Sequence, residues 1–160
     1  MNPTPELSLL LDGIREGYIN KAWHGPNLAG SIRGLTAKEA AWRPGNGRHN
    51  IWEIVVHCAY WKYAVRRRLL GEKRGSFPLK GSNWFRCPDG QPSEGDWRQD
   101  VKLLREMHYA LIEAVEAMRP SQLDEISRGG TKVSNRRMIA GIAMHDVYHA
   151  GQVQLLKRLR

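Results

Sequence analysis

The chain has 160 residues, and its 25 lysines and arginines against 16 acidic residues give a formal net charge of +9. With 41% hydrophobic residues, six tryptophans and five tyrosines, it carries enough apolar surface to exclude disorder. No apolar run approaches the ~20 residues of a membrane span; Glu6, Asp12, Arg15 and Glu16 interrupt the N-terminus where a signal peptide would be apolar, so a cytoplasmic protein is expected.

Leu7, Leu10, Leu11, Ile14 and Tyr18 recur at three- and four-residue spacings, which predicts a first helix from about Pro5 to Trp23. A Gly-rich loop follows from His24 to Asn50. Within it, Thr36-Ala-Lys-Glu39 has the form of a capping box and predicts a single helical turn. Asn50 is a good cap for a second helix running to Leu70, apolar at Ile51, Ile54, Val55, Cys58, Trp61, Val65 and Leu69 and stopped by Gly71. The loop from Glu72 to Pro92 contains Trp84-Phe85 and is long enough to be either functional or mobile.

Ser93-Glu94-Gly95-Asp96 opens a third helix, with Trp97, Val101, Leu104, His108, Leu111, Ile112 and Val115 on its apolar side, ending near Met118 before Pro120. After a polar connection containing Gly129-Gly130, a fourth helix runs from about Ser134 to the C-terminus. No alternating strand pattern is present. Four amphipathic helices of about 20 residues predict an all-α protein, a four-helix bundle forming one domain over residues 1–160, with long loops between helices one and two and between two and three.

Cys58 falls in the apolar pattern of the second helix, where a free cysteine behaves as a small hydrophobe. Neither it nor Cys87 belongs to a C-x-x-C motif, so no structural disulfide is expected. The basic clusters Arg66–Arg68, Arg136-Arg137 and Lys157–Arg160 come without any nucleic-acid-binding signature. They read as solvated charge at helix ends, where cations oppose the macrodipole. Neither nucleic acid nor a membrane is an expected partner.

The chemistry concentrates in histidine. His145 and His149 stand four residues apart on the fourth helix, about 40° apart on one face. They share the series Met138, Ile142, His145, His149, Gln152, Leu156, the spacing of an inward seam. Two imidazoles in an apolar seam need partners, and a metal ion satisfies both together. His57, mid-way along the second helix, could close a three-histidine site with an open position for water or substrate; a satisfied core histidine is the other reading of that residue. Glu53, one turn before His57, reads as a carboxylate supporting the site or acting as general base, or as a first-turn glutamate favoured by the helix dipole. Gln152, one turn after His149, is placed to orient a ligand or substrate. Trp61 is a candidate wall of the pocket, or plain core. Asp146 and Tyr148 fall off the seam, where surface or interface roles are expected, and His108 reads as structural. The form His-Asp-x-x-His, with Asp146 in second place, lacks the glutamate of a zinc protease.

Three stretches together resemble the DinB/YfiT family: Leu35–Pro44 (LTAKEAAWRP), Asn50–Trp61 (NIWEIVVHCAYW) and His145–Gln152 (HDVYHAGQ). The resemblance implies an up-down-down-up four-helix bundle with a divalent metal on His57, His145 and His149, and often a homodimer. Relatives include S-transferases that use low-molecular-weight thiols such as bacillithiol, a mycothiol-dependent isomerase, and proteins described as metal-dependent hydrolases. Three neutral imidazoles leave the ion its full charge and suit Zn, Ni or Fe alike. The expectation is therefore a metal-dependent enzyme that activates a thiol or water against a small-molecule substrate. The alternative is a metal-binding stress-response protein without turnover.

Overall fold

The computed structural model describes residues 4–87, 92–127 and 132–160. Its helices are α1 (Pro5–Tyr18), α2 (Leu28–Ile32), α3 (Ala37–Ala41), α4 (Ile51–Leu69), α5 (Glu94–Glu116) and α6 (Asn135–Leu159), with a 3-10 turn over Pro120–Asp124. Among the described residues there is no strand, only an isolated bridge between Ile126 and Ser134. The Gly129-Gly130 connection lies outside the described residues.

The helix starts follow their caps. Thr4, Asn50, Ser93 and Ser134 each accept a backbone N–H of the first turn, and Thr36 and Glu39 complete the reciprocal box at α3. Helix α1 stops at Tyr18, short of the expected Trp23, where Ile19 and Asn20 both bond back to Arg15 O. The first long loop is also more ordered than expected, because Asn27 caps the short helix α2. At the end of α4, Gly71 adopts φ 68°, a left-handed conformation that terminates a helix at little steric cost in glycine.

The four long helices pack as α4 on α5, α1 on α6, α4 on α6 and α1 on α5. Helix α4 is the centre: every residue from Ile51 to Ala59 is buried, the pattern of a helix surrounded on all sides. Two apolar clusters make the core. One gathers Tyr18, Leu28, Trp52, Cys58, Phe85, Trp97, Leu104, Ala150 and Val153. The other gathers Leu11, Ile14, Val65, Leu111, Val115, Ile139 and Ile142. Along α4, α5 and α6 the two clusters are separated by Lys62, His108 and Asp146, all fully or almost fully buried.

This polar layer corrects the expectation for Asp146, which has no exposed surface and accepts a hydrogen bond from the Lys62 ammonium. The buried face of α6 runs through Ile139, Ile142, Asp146, His149 and Val153. Asp146 therefore lies on that face, and the paired lysine makes its charge tolerable there. Tyr148 is exposed.

Candidate metal centre

Helices α4 and α6 bring His57, His145 and His149 together. The Nε2 atom of His145 lies 3.1 Å from Nε2 of His57 and 3.1 Å from Nε2 of His149. His57 and His149 are almost wholly buried, whereas His145 is partly exposed.

The outward nitrogens fix the tautomers. His57 Nδ1 is 2.8 Å from Asn83 O. A carbonyl only accepts, so Nδ1 carries the hydrogen and Nε2 keeps its lone pair. His149 Nδ1 stands 2.7 Å from Gln152 Oε1, with the same consequence. Burial holds the His57 imidazole down to about 4 and His145 to about 3, with neighbouring imidazoles adding to the effect. Burial lowers His149 as well, against the raising effect of Gln152. All three are thus neutral at pH 7, with lone pairs available to a metal.

The spacing passes a simple test. With metal–nitrogen bonds of about 2.0–2.1 Å, neighbouring nitrogens sit about 3.3 Å apart on a tetrahedral ion and about 2.9 Å apart on an octahedral one. The observed 3.1 Å lies between these values. A hydrogen-bonded set serves the geometry less well, since His145 Nε2 has one hydrogen at most for two facing lone pairs.

The loop after α4 forms the roof. Tyr60, Tyr63, Phe77 and Phe85 pack ring on ring, and the Tyr63 hydroxyl accepts from Gly75 N and Ser76 N, folding the loop back over α4. Asn83 there adopts φ 66°, a left-handed conformation that asparagine tolerates better than most residues. Its carbonyl meets His57 and its side chain accepts from Trp61 Nε1 at 2.9 Å. Trp84 stacks on His57 at 3.9 Å and on His49 at 3.6 Å, sandwiched between the two imidazoles. Trp61 itself stands 6.3 Å from both His57 and His145, measured between ring centres.

Glu53 is buried and bound on several sides. Its carboxylate accepts from both Arg43 guanidinium nitrogens, faces His49 Nδ1 at 2.9 Å and accepts from Cys87 N. Burial alone would raise this carboxyl, but Arg43, His49 and the Cys87 amide outweigh it and hold it down to about 2. The clamp ties the segment before α4 and the end of the following loop to one side chain. His108 is buried against Tyr18, their ring centres 4.0 Å apart. His24 is exposed on a loop.

Sequence reasoning missed Asn83, Arg43 and Lys62 as parts of this region. Asn83 and Arg43 act from loops, where no periodicity marks them. Lys62 had a signal: Cys58, Ala59 and Val65, three or four residues to either side of it on the helix, are apolar.

Helical packing around three converging imidazoles defines the class, a helical protein with a histidine group that could hold a metal ion. The family model of the DinB superfamily matches residues 22–153, and the chain belongs to that superfamily. No curated protein and no solved structure matches it.

Proposed function

We propose that this protein is a metal-dependent enzyme in which His57, His145 and His149 hold a divalent ion. The observation that carries the reading is the pair of fixed tautomers: Asn83 O and Gln152 Oε1 leave the lone pairs of His57 and His149 facing His145 Nε2. When bound, the ion supplies Lewis-acid activation of a low-molecular-weight thiol or of water, for S-transfer to, or hydrolysis of, a small-molecule substrate. Zn, Ni and Fe all suit three imidazoles.

The chain's own residues divide the remaining work. Gln152 orients His149, and Asn83 orients His57. Trp84 and Trp61 wall the site and keep bulk water from one side of it. A carboxylate held near 2 and shared by an arginine, an imidazole and an amide is a weak proton acceptor, so Glu53 serves by anchoring the loop segments around the site. A pocket of about 450 Å³, bordered by Arg48, His49, Trp84, Gln152 and Leu156, reaches the histidines only through Trp84 and Gln152, and is of a size that takes a small molecule.

The fold reading extends in the same direction. Trp52 reaches Asp100 and Lys62 reaches His108, so α4 and α5 run alike. Gly13 meets Ala143, and Glu6 meets Arg136, so α1 and α6 run alike as well. Arg15 pairs with Glu116 while Tyr18 stacks on His108, which sets α1 against α5. These pairings support a single four-helix bundle of up-down-down-up topology. Among the described residues no helix is long and apolar enough to cross a membrane, which is compatible with the cytoplasmic placement we adopt.

The second reading, a metal-binding protein without turnover, draws on the same roof: Trp84 covers His57, and two of the three ligands are almost wholly buried. Cobalt-loaded protein titrated with a small thiol separates the two. A new sulfur-to-metal charge-transfer band is expected for an open coordination position; a spectrum indifferent to thiol and to added anions favours the closed, non-catalytic site.

A further inference from the structure

Two of the three clustered imidazoles have a partner on the nitrogen that faces outward, and the third has none. His145 Nδ1 is buried without a hydrogen-bond partner. The adjacent residue, Asp146, has the complementary deficit: Lys62 serves its Oδ2, while its Oδ1 is buried and unpaired. A ring nitrogen of His145, a carboxylate oxygen of Asp146 and the Cys58 thiol lie within 4.8 Å of one another. His145 Nε2 is turned to the other two histidines, so Nδ1 is the nitrogen left for Asp146.

A second cation is not needed to explain the Cys58–His145–Asp146 group, because the Lys62 ammonium already stands against the carboxylate. Lys62 is itself well housed, with His108 Nδ1 at 3.5 Å and the Tyr18 ring at 5.2 Å. Stability is a poor reason for such a pair. Desolvating two charges is costly, and apolar replacements of both partners are often neutral or stabilising. Positioning is a better reason, since histidines that bind metals almost always donate their other ring N–H to a carboxylate, carbonyl or water.

We propose that Asp146, fixed by Lys62, is the positioning residue for His145: its Oδ1 accepts the His145 Nδ1–H through one buried water shared with the Cys58 thiol. That hydrogen bond selects the tautomer with a free Nε2 lone pair, completing for His145 what Asn83 does for His57 and Gln152 for His149. The water route is chemically reasonable because three polar groups surround the position.

This inference rests on the three-histidine metal reading, and the test keeps the two apart. Zinc affinity is measured by competition with a chromophoric chelator in wild type, in K62M/D146L and in K62M/D146N. Removing both charges together avoids leaving one buried and alone. K62M/D146L is expected to keep wild-type helix content and to lose about 10–100-fold in zinc affinity. K62M/D146N, whose amide oxygen still accepts, is expected to recover most of that loss. Equal affinity in wild type and K62M/D146L overturns the positioning role, whereas a wild type that binds no zinc overturns the metal reading itself. Should the double variants not fold, nitrogen-15 NMR of the zinc-loaded wild type decides: a slowly exchanging proton on His145 Nδ1 is expected, and a fast-exchanging one overturns the proposal.

Discussion

His57, His108 and His145 are each held well below the ordinary histidine value of 6.5, at about 4, 3 and 3, and burial is the leading cause in every case. A group whose folded pKa is depressed takes up its proton more readily when unfolded. Its contribution to stability is therefore complete above 6.5 and is lost as pH falls toward the folded value. Glu53, at about 2 against an ordinary 4.5, adds a second loss between those values. Metal-free protein should show denaturation midpoints that are level above pH 7 and fall from about pH 6.5 downward. His108→Phe keeps a ring against Tyr18 and should make that acid limb shallower; an unchanged slope contradicts the assignment. At this scale the histidine group was legible because two histidines one turn apart interrupt an apolar seam. Asp146 was not, since a seam drawn through those histidines is rotated from the buried face, and only the packed structure reveals Lys62 as its partner.

Asn50 joins two elements with one side chain. Its Oδ1 accepts from Glu53 N at the start of α4, and its Nδ2 donates to Ala41 O at the end of α3. Asn50→Ala should lower stability by about 1–2 kcal/mol, measured by urea unfolding, while Asn50→Asp, which keeps the cap and loses the donor, should cost less. Gly17 does comparable work between α1 and α6: a Cβ there would stand 2.9 Å from Ala143 O, a backbone atom that cannot swing aside. Gly17→Ala gains about 1 kcal/mol in helix propensity but overpacks the crossing by about 1–3 kcal/mol. A net loss is expected, and a higher melting temperature would refute this close approach. The three longest helices were legible to within a residue or two because caps and apolar period agree at their starts. The end of α1 and the presence of α2 were not, since Asn20 and Asn27 hold that turn through a local contact, Asn27 Nδ2 on Asn20 O, that has no periodic signature. The loop over the site was visible only as length and aromatic content; its path depends on Tyr60 and Tyr63, which read as ordinary helix positions.

The surface of α6 leaves Met144, Tyr148, Leu155 and Leu159 exposed in one row, with Leu9 of α1 also exposed. Such a row is more apolar than a solvated face requires, and it is the face we propose for the homodimer that the family resemblance implies, two copies of the same patch meeting there. Met144→Lys with Leu155→Lys should shift the molecular mass in light scattering from dimer to monomer without changing metal content. A mass unaffected by the substitutions, or already monomeric in wild type, excludes this face. The most direct measurement of the whole account is metal stoichiometry by mass spectrometry on untagged protein, beside the His57/His145/His149→Ala variant and the single His149→Ala. About one ion per chain in wild type, lost in the triple variant and strongly reduced in His149→Ala with helix content preserved, is the expected result. Wild-type protein that remains empty after incubation with zinc, nickel and iron would contradict the account and leave the three histidines as core residues.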